Sequence, residues 1–72
     1  MSMIETLRAN LAAAEQREAE ANRILAATAE DDPNRYLASR NACAAWVGVG
    51  HHKHRLWLYT NHYETFVEMQ PK

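Results

Sequence analysis

The sequence predicts a small α+β fold: a long N-terminal helix, a shorter antiparallel second helix and a C-terminal β-hairpin, with an all-α three-helix arrangement as the alternative. Three observations lead there. Ser2 to Thr28 contains no Gly and no Pro, and its apolar residues Ile4, Leu7, Leu11, Ala14, Ala21 and Leu25 fall on a heptad seam. Asp32-Pro33 follows a short polar connection and is a helix-start signal, because the missing N–H of Pro costs nothing in a first turn. Arg55 to Met69 is rich in aromatic and β-branched residues around a central Asn61-His62 pair, and Asn suits a tight hairpin turn.

The first helix is expected over 2–29. Ser2 is a good N-cap, and Glu5 three residues on completes a capping box. Glu5–Arg8, Arg17–Glu20 and Glu20–Arg23 are i,i+3 pairs worth a few tenths of a kcal/mol each, about the value for exposed helix pairs. Glu18 interrupts the seam where Leu would be expected. A polar seam residue weakens a contact but fixes its register, or marks where the helix passes from one packing partner to another.

Pro33 disfavours helix at the residue before it, which places the connection at Glu30 to Asp32. The second helix is expected over 33–46, with Tyr36, Cys43 and Trp46 on one face and Leu37 and Ala44 beside it. Trp46-Val47-Gly48-Val49-Gly50 breaks this pattern, either as a left-handed helix cap at Gly48 or as a short strand. His51 to His54 reads as a loop. The hairpin is expected over 55–69. A two-residue turn at Asn61-His62 sets Arg55 opposite Glu68, Trp57 opposite Phe66 and Leu56 opposite Val67, and such cross-strand pairs add roughly 0.2–1 kcal/mol each. The competing pattern is a third helix with Leu56, Tyr59, Tyr63 and Phe66 as its stripe.

With 72 residues the chain is one small domain, and it buries only about 60–65% of its unfolded surface, so a partner chain is a natural staple. Cys43 is the only cysteine, which excludes an internal disulfide and suits a reducing compartment. The start, MSMIETLR, lacks the basic and apolar regions of a signal peptide, and the uncharged run Asn41 to Gly50 is too short to span a bilayer. A cytoplasmic protein with no membrane association is the expectation. Residues 1–32 hold seven acids against three arginines, and residues 33–72 hold five bases against two acids, so the halves carry −4 and +3. They attract one another within the fold or across a dimer, or else present a basic surface to an acidic partner.

No catalytic set emerges. Ser39 and Cys43 lie one turn apart, but nothing in the spacing brings a His beside either. Gly48-Val49-Gly50 lacks the length and the Lys-Ser/Thr of a phosphate loop. His51, His52 and His54 are metal-ligand types and form a weak alternative metal site, yet adjacent His residues in an extended segment point apart, and Lys53 and Arg55 repel a cation. No cofactor is expected. The same basic run beside Trp57 and Tyr59 combines charge with stacking, as single-stranded nucleic acid requires.

The expected function is a non-catalytic protein-interaction or inhibitor module that acts as a homodimer, the alternative being a nucleic-acid-binding regulator that uses Lys53, Arg55 and the His segment. Small size, no catalytic set and an aromatic-rich C-terminal half are similar to small accessory proteins of prokaryotes and their phages, which occupy a surface on a larger protein. The expected partner surface is Arg55, Trp57, Tyr59 and Phe66, an Arg-aromatic cluster of hot-spot composition. The expected dimer interface is Ile4, Leu7, Leu11, Ala14 and Glu18. A helix of about 26 residues runs about 39 Å, and a second helix of about 13 residues covers only half of it. That would leave Ile4, Leu7 and Leu11 bare unless the hairpin or a second chain covers them.

Overall fold

The computed structural model describes residues 2–71 and contains three helices: α1 Met3–Ala27, α2 Arg35–Asn61 and α3 Tyr63–Glu68. There is no strand among the described residues. The chain is an antiparallel helical hairpin closed at one end by α3, in a rod of 48 × 20 × 20 Å.

Ser2 starts α1 as its sequence predicts, its Oγ accepting from the Glu5 N–H at 3.3 Å. Of the i,i+3 pairs, Glu20–Arg23 forms, with two hydrogen bonds of 2.6 and 2.9 Å. The turn that follows is fastened from both sides. Asp32 Oδ1 accepts from the Asn34 N–H at 2.7 Å and shapes the entry to α2. Arg35 reaches back, and its Nη1 donates to the carbonyls of Leu25 and Thr28 at 2.9 and 2.7 Å. The Leu25 carbonyl also accepts from the Thr28 N–H at 3.2 Å, so Arg35 adds a second donor there and supplies one to Thr28, and a cation at this helix end also complements the helix dipole.

The expected second helix of 33–46 and hairpin of 55–69 are both corrected: one helix runs from Arg35 to Asn61, straight through Gly48, Gly50 and the His segment. Neither glycine has positive φ, so Gly48 is not a left-handed cap. Glycine costs about 1 kcal/mol in a helix relative to Ala, too little to stop one that has a 25-residue neighbour to pack on. Val49, between the two glycines, is buried. Asn61-His62 ends a helix instead of turning a strand. Thr60 Oγ1 accepts no strand partner; it donates to the Leu56 carbonyl at 3.0 Å, and Asn61 Nδ2 donates to the Trp57 carbonyl at 3.0 Å. Side chains of this kind bond nearby backbone and favour helix ends as well as turns. His62, at φ −141 and ψ 61, breaks the helix, and α3 folds back.

Both long helices show heptad spacing at their contact. Buried and half-buried positions on α1 include Ile4, Leu7, Leu11, Ala14, Glu18, Ala21, Leu25 and Thr28. On α2 they include Arg35, Ala38, Ala42, Ala45, Val49, His52, Leu56 and Tyr59. Steps of three and four on both sides are the mark of a two-helix coiled seam. Its middle is built of alanines, which allow close approach but supply little apolar volume. The bulk lies at one end, where Leu7 of α1, Leu58 of α2 and Phe66 of α3 form the core cluster, with Leu56 and Tyr59 packed against it.

A candidate interaction surface on the second helix

The sequence places large apolar residues on the side of α2 away from α1. At 3.6 residues per turn, Tyr36, Cys43 and Val47 fall on the face opposite the Ala38–Ala42–Val49 seam, with Gly50, Trp57, Trp46 and Leu37 on its flanks. Tyr36 is 77% exposed, Trp46 67%, Val47 58%, Leu37 53% and Trp57 50%. Cys43 is exposed among them. Helix α2 carries Arg35, Arg40, Lys53 and Arg55 and no acid, so this apolar face is set in a positive field.

Two open grooves flank it. One, of about 460 Å³, runs between α1 and α2 over Ala21, Ile24, Ala38 and Asn41. The other, of about 380 Å³, lies over Glu18, Trp46, Val49, Gly50 and Lys53. Glu18, expected at the dimer interface, therefore lines a groove with residues of its own α2.

The expected partner cluster is not one surface. Trp57 is exposed and lies between two imidazoles, its ring 6.0 Å from that of His54 and 4.8 Å from that of His62. Phe66 is buried, and half-buried Tyr59 meets it edge-on at 5.2 Å. Arg55 is also half-buried. Its guanidinium sits 5.5 Å from the Phe66 ring centre and its Nη2 donates to Gln70 Oε1 at 3.2 Å, while its Nε is buried with no hydrogen-bond partner among the described residues. Three of the four residues thus hold α3 on α2.

The expected dimer stripe lies in the α1–α2 seam. Leu7 and Ala14 are buried there, and Ile4, Leu11 and Glu18 are half-buried. The expectation that Leu7 would be bare assumed a short second helix; α2 has 27 residues and spans the whole of α1. Tyr36, Cys43 and Trp46, expected on one face of the second helix, are all exposed and lie outside the seam. The signal that finds them is the match of Ala38, Ala42, Ala45 and Val49 to the alanine-rich seam of α1.

His51, His52 and His54 stand on α2 as helical neighbours, and His51 and His52 meet edge-on at 5.4 Å. No group of three His, Cys, Asp or Glu residues among the described residues is arranged to hold a metal ion. His52 turns into the seam. Burial, then His51, Arg17 and Arg55 around it, hold its pKa below the usual histidine value.

Comparison with family models, curated proteins and solved structures finds no match. No described helix is long and apolar enough to cross a membrane.

Proposed function

We propose that this chain is a non-catalytic protein-interaction module whose working surface is the outer face of α2. One observation carries the reading. Helix α2 spends Ala38, Ala42 and Ala45 on the inner seam and Tyr36, Trp46 and Trp57 on the side facing solvent. A helix that served only to pack on α1 would distribute them the other way round. A contiguous exposed patch of aromatics flanked by Arg and Lys has the composition of binding hot spots.

The test is a photo-crosslinking residue at Val47 in the intact chain, incubated in host extract. A defined product that vanishes with Trp46→Ala, at unchanged melting temperature, supports the reading. A Trp46→Ala variant that unfolds, or that cross-links as the parent does, refutes it.

The absence of acids on α2 favours one second reading, nucleic-acid binding through the same helix. Only Arg40 and Lys53 of its four cations are exposed, since Arg35 and Arg55 are committed to internal contacts. Phosphate contacts make affinity fall steeply with salt, while an apolar protein contact barely responds. A salt titration of any complex separates the two.

A further inference from the structure

We infer that the occupant of the outer face of α2 is a second copy of this chain, docked antiparallel about a two-fold axis between Trp46 and Val47, so that the two hairpins meet through their second helices with α1 of each copy on the far side. The inference rests on the reading of that face as an interaction surface and names its partner.

Area is the first argument. A compact monomer of 8.2 kDa exposes about 4,500 Å². This chain exposes 5577 Å², an excess of about 1,000 Å² over that scaling. One side of a stable protein interface covers about 800 Å². Three aromatics of about 150–250 Å² each, half to three-quarters exposed, supply some 300–500 Å² of it. A single hairpin has one helix–helix seam, and pairing two hairpins through α2 adds a second.

The second argument is self-complementarity. In an antiparallel pair centred between Trp46 and Val47, Tyr36 lies level with Trp57 of the second copy, Trp46 with its Val47, and Cys43 with its Gly50. Large thus meets large at the ends, and small meets small where the helices approach. Gly50 has nothing within 4 Å of the position a Cβ would take, so the single hairpin does not need glycine there. A small residue at that level leaves room for a second helix to approach closely.

Charge selects the direction. A parallel pair would put the acidic turns Glu30, Asp31 and Asp32 of both copies together and Arg40 against Arg40. The antiparallel pair places the two acidic turns at opposite ends of the dimer. Arg40 falls level with Lys53 of the second copy, but the two positions are roughly 140° apart around a helix. They therefore lie on opposite flanks and stay in water.

The experiment is sedimentation equilibrium of the full chain across micromolar concentrations, with three variants. The expected mass rises from one chain to two. Val47→Glu is expected to remain at the mass of one chain with the helical circular dichroism of the parent. Gly50→Cys is expected to oxidise to a covalent dimer through Cys43 of the other copy, since level residues on touching helices meet the roughly 7 Å Cα limit of a disulfide. Gly50→Cys with Cys43→Ser is expected not to cross-link, because position 50 of one copy lies about two turns from position 50 of the other. A parent chain that keeps the mass of one chain throughout overturns the inference. So does a Val47→Glu variant that dimerises like the parent, or equal cross-linking with and without Cys43. If the parent is a monomer yet Val47 cross-links to a different protein, self-pairing fails and the interaction module stands.

Discussion

At the scale of the residue, two side chains do more than their positions in the sequence suggest. Arg35 is the clamp of the hairpin, since one Nη1 serves two carbonyls at the end of α1. Charged hydrogen bonds of this kind contribute about 1.5–3 kcal/mol, so Arg35→Ala should destabilise by about 1–2 kcal/mol after its partial exposure is taken into account. Thermal melts followed by circular dichroism are the check, and Arg35→Lys should recover only part, having no planar fork to bridge two acceptors. His52 is the other. Its folded pKa is lowered, so the unfolded chain binds its proton more readily. Stability from this residue is full above the unfolded histidine value of about 6.5 and falls as the pH drops below it toward the folded pKa. Urea melts at pH 7.5 and 5 should show the loss, and His52→Gln should flatten it. A melt that strengthens on acidification would contradict the seam position of His52.

At the scale of the element, the glycines of α2 are the sharpest case. Gly48 is half-buried inside a helix, has no positive φ, and a Cβ there meets nothing within 4 Å. Gly48→Ala should therefore stabilise the chain by about 0.5–1 kcal/mol. As a left-handed cap it would have destabilised. The C-terminal segment gives a second contrast. Arg55→Glu should cost stability by losing its Gln70 and Phe66 contacts, and adding Glu68→Arg should not restore it, because no Arg55–Glu68 strand pair exists. A double-mutant cycle with strong coupling would bring the hairpin back. The reasons for the different outcomes are physical. The heptad of α1, its Ser2 cap and the turn at Glu30 to Asp32 were legible because each is a local signal. The extent of α2 was not, because glycine and β-branched residues resist helix only weakly and the long neighbour α1 overrides them. Leu56, Tyr59, Tyr63 and Phe66 were recognised as a stripe that also suits helix, but no local feature showed that His62 would divide it between α2 and α3. That the face of Tyr36 and Trp46 would stay exposed was not legible either, because it depends on Ala38, Ala42, Ala45 and Val49 matching the seam of α1, which is a tertiary and not a local feature.

At the scale of the whole molecule, the distribution of bulk along the rod decides stability. A chain of this length has a total stability of roughly 4–11 kcal/mol. Phe66→Ala removes one of the three buried residues of the terminal cluster and should cost about 3–5 kcal/mol, a large share of that total, read as a lowered melting temperature by circular dichroism. Trp46→Ala, at the middle of the outer face, should change the stability of the single chain by less than about 0.5 kcal/mol. The same layout has a consequence for how the chain reaches its native state. The layers nearest the turn, Leu25 with Ala38 and Ala21 with Ala42, are the cheapest to close and the weakest once closed. The strongest layer joins Leu7 to Leu58 and Phe66, at the largest separation along the chain. Folding that zips from the turn must therefore run uphill through the alanine layers before the terminal cluster locks, at a loop-closure cost that grows only slowly with length. Mutations at Leu58 and Phe66 should accelerate unfolding with little effect on the folding rate, giving φ-values near zero, while Arg35 and Ala38 should give high ones. Amide protons around Leu58 should exchange only through opening of the whole rod, because the alanine layers do not hold without the terminal cluster.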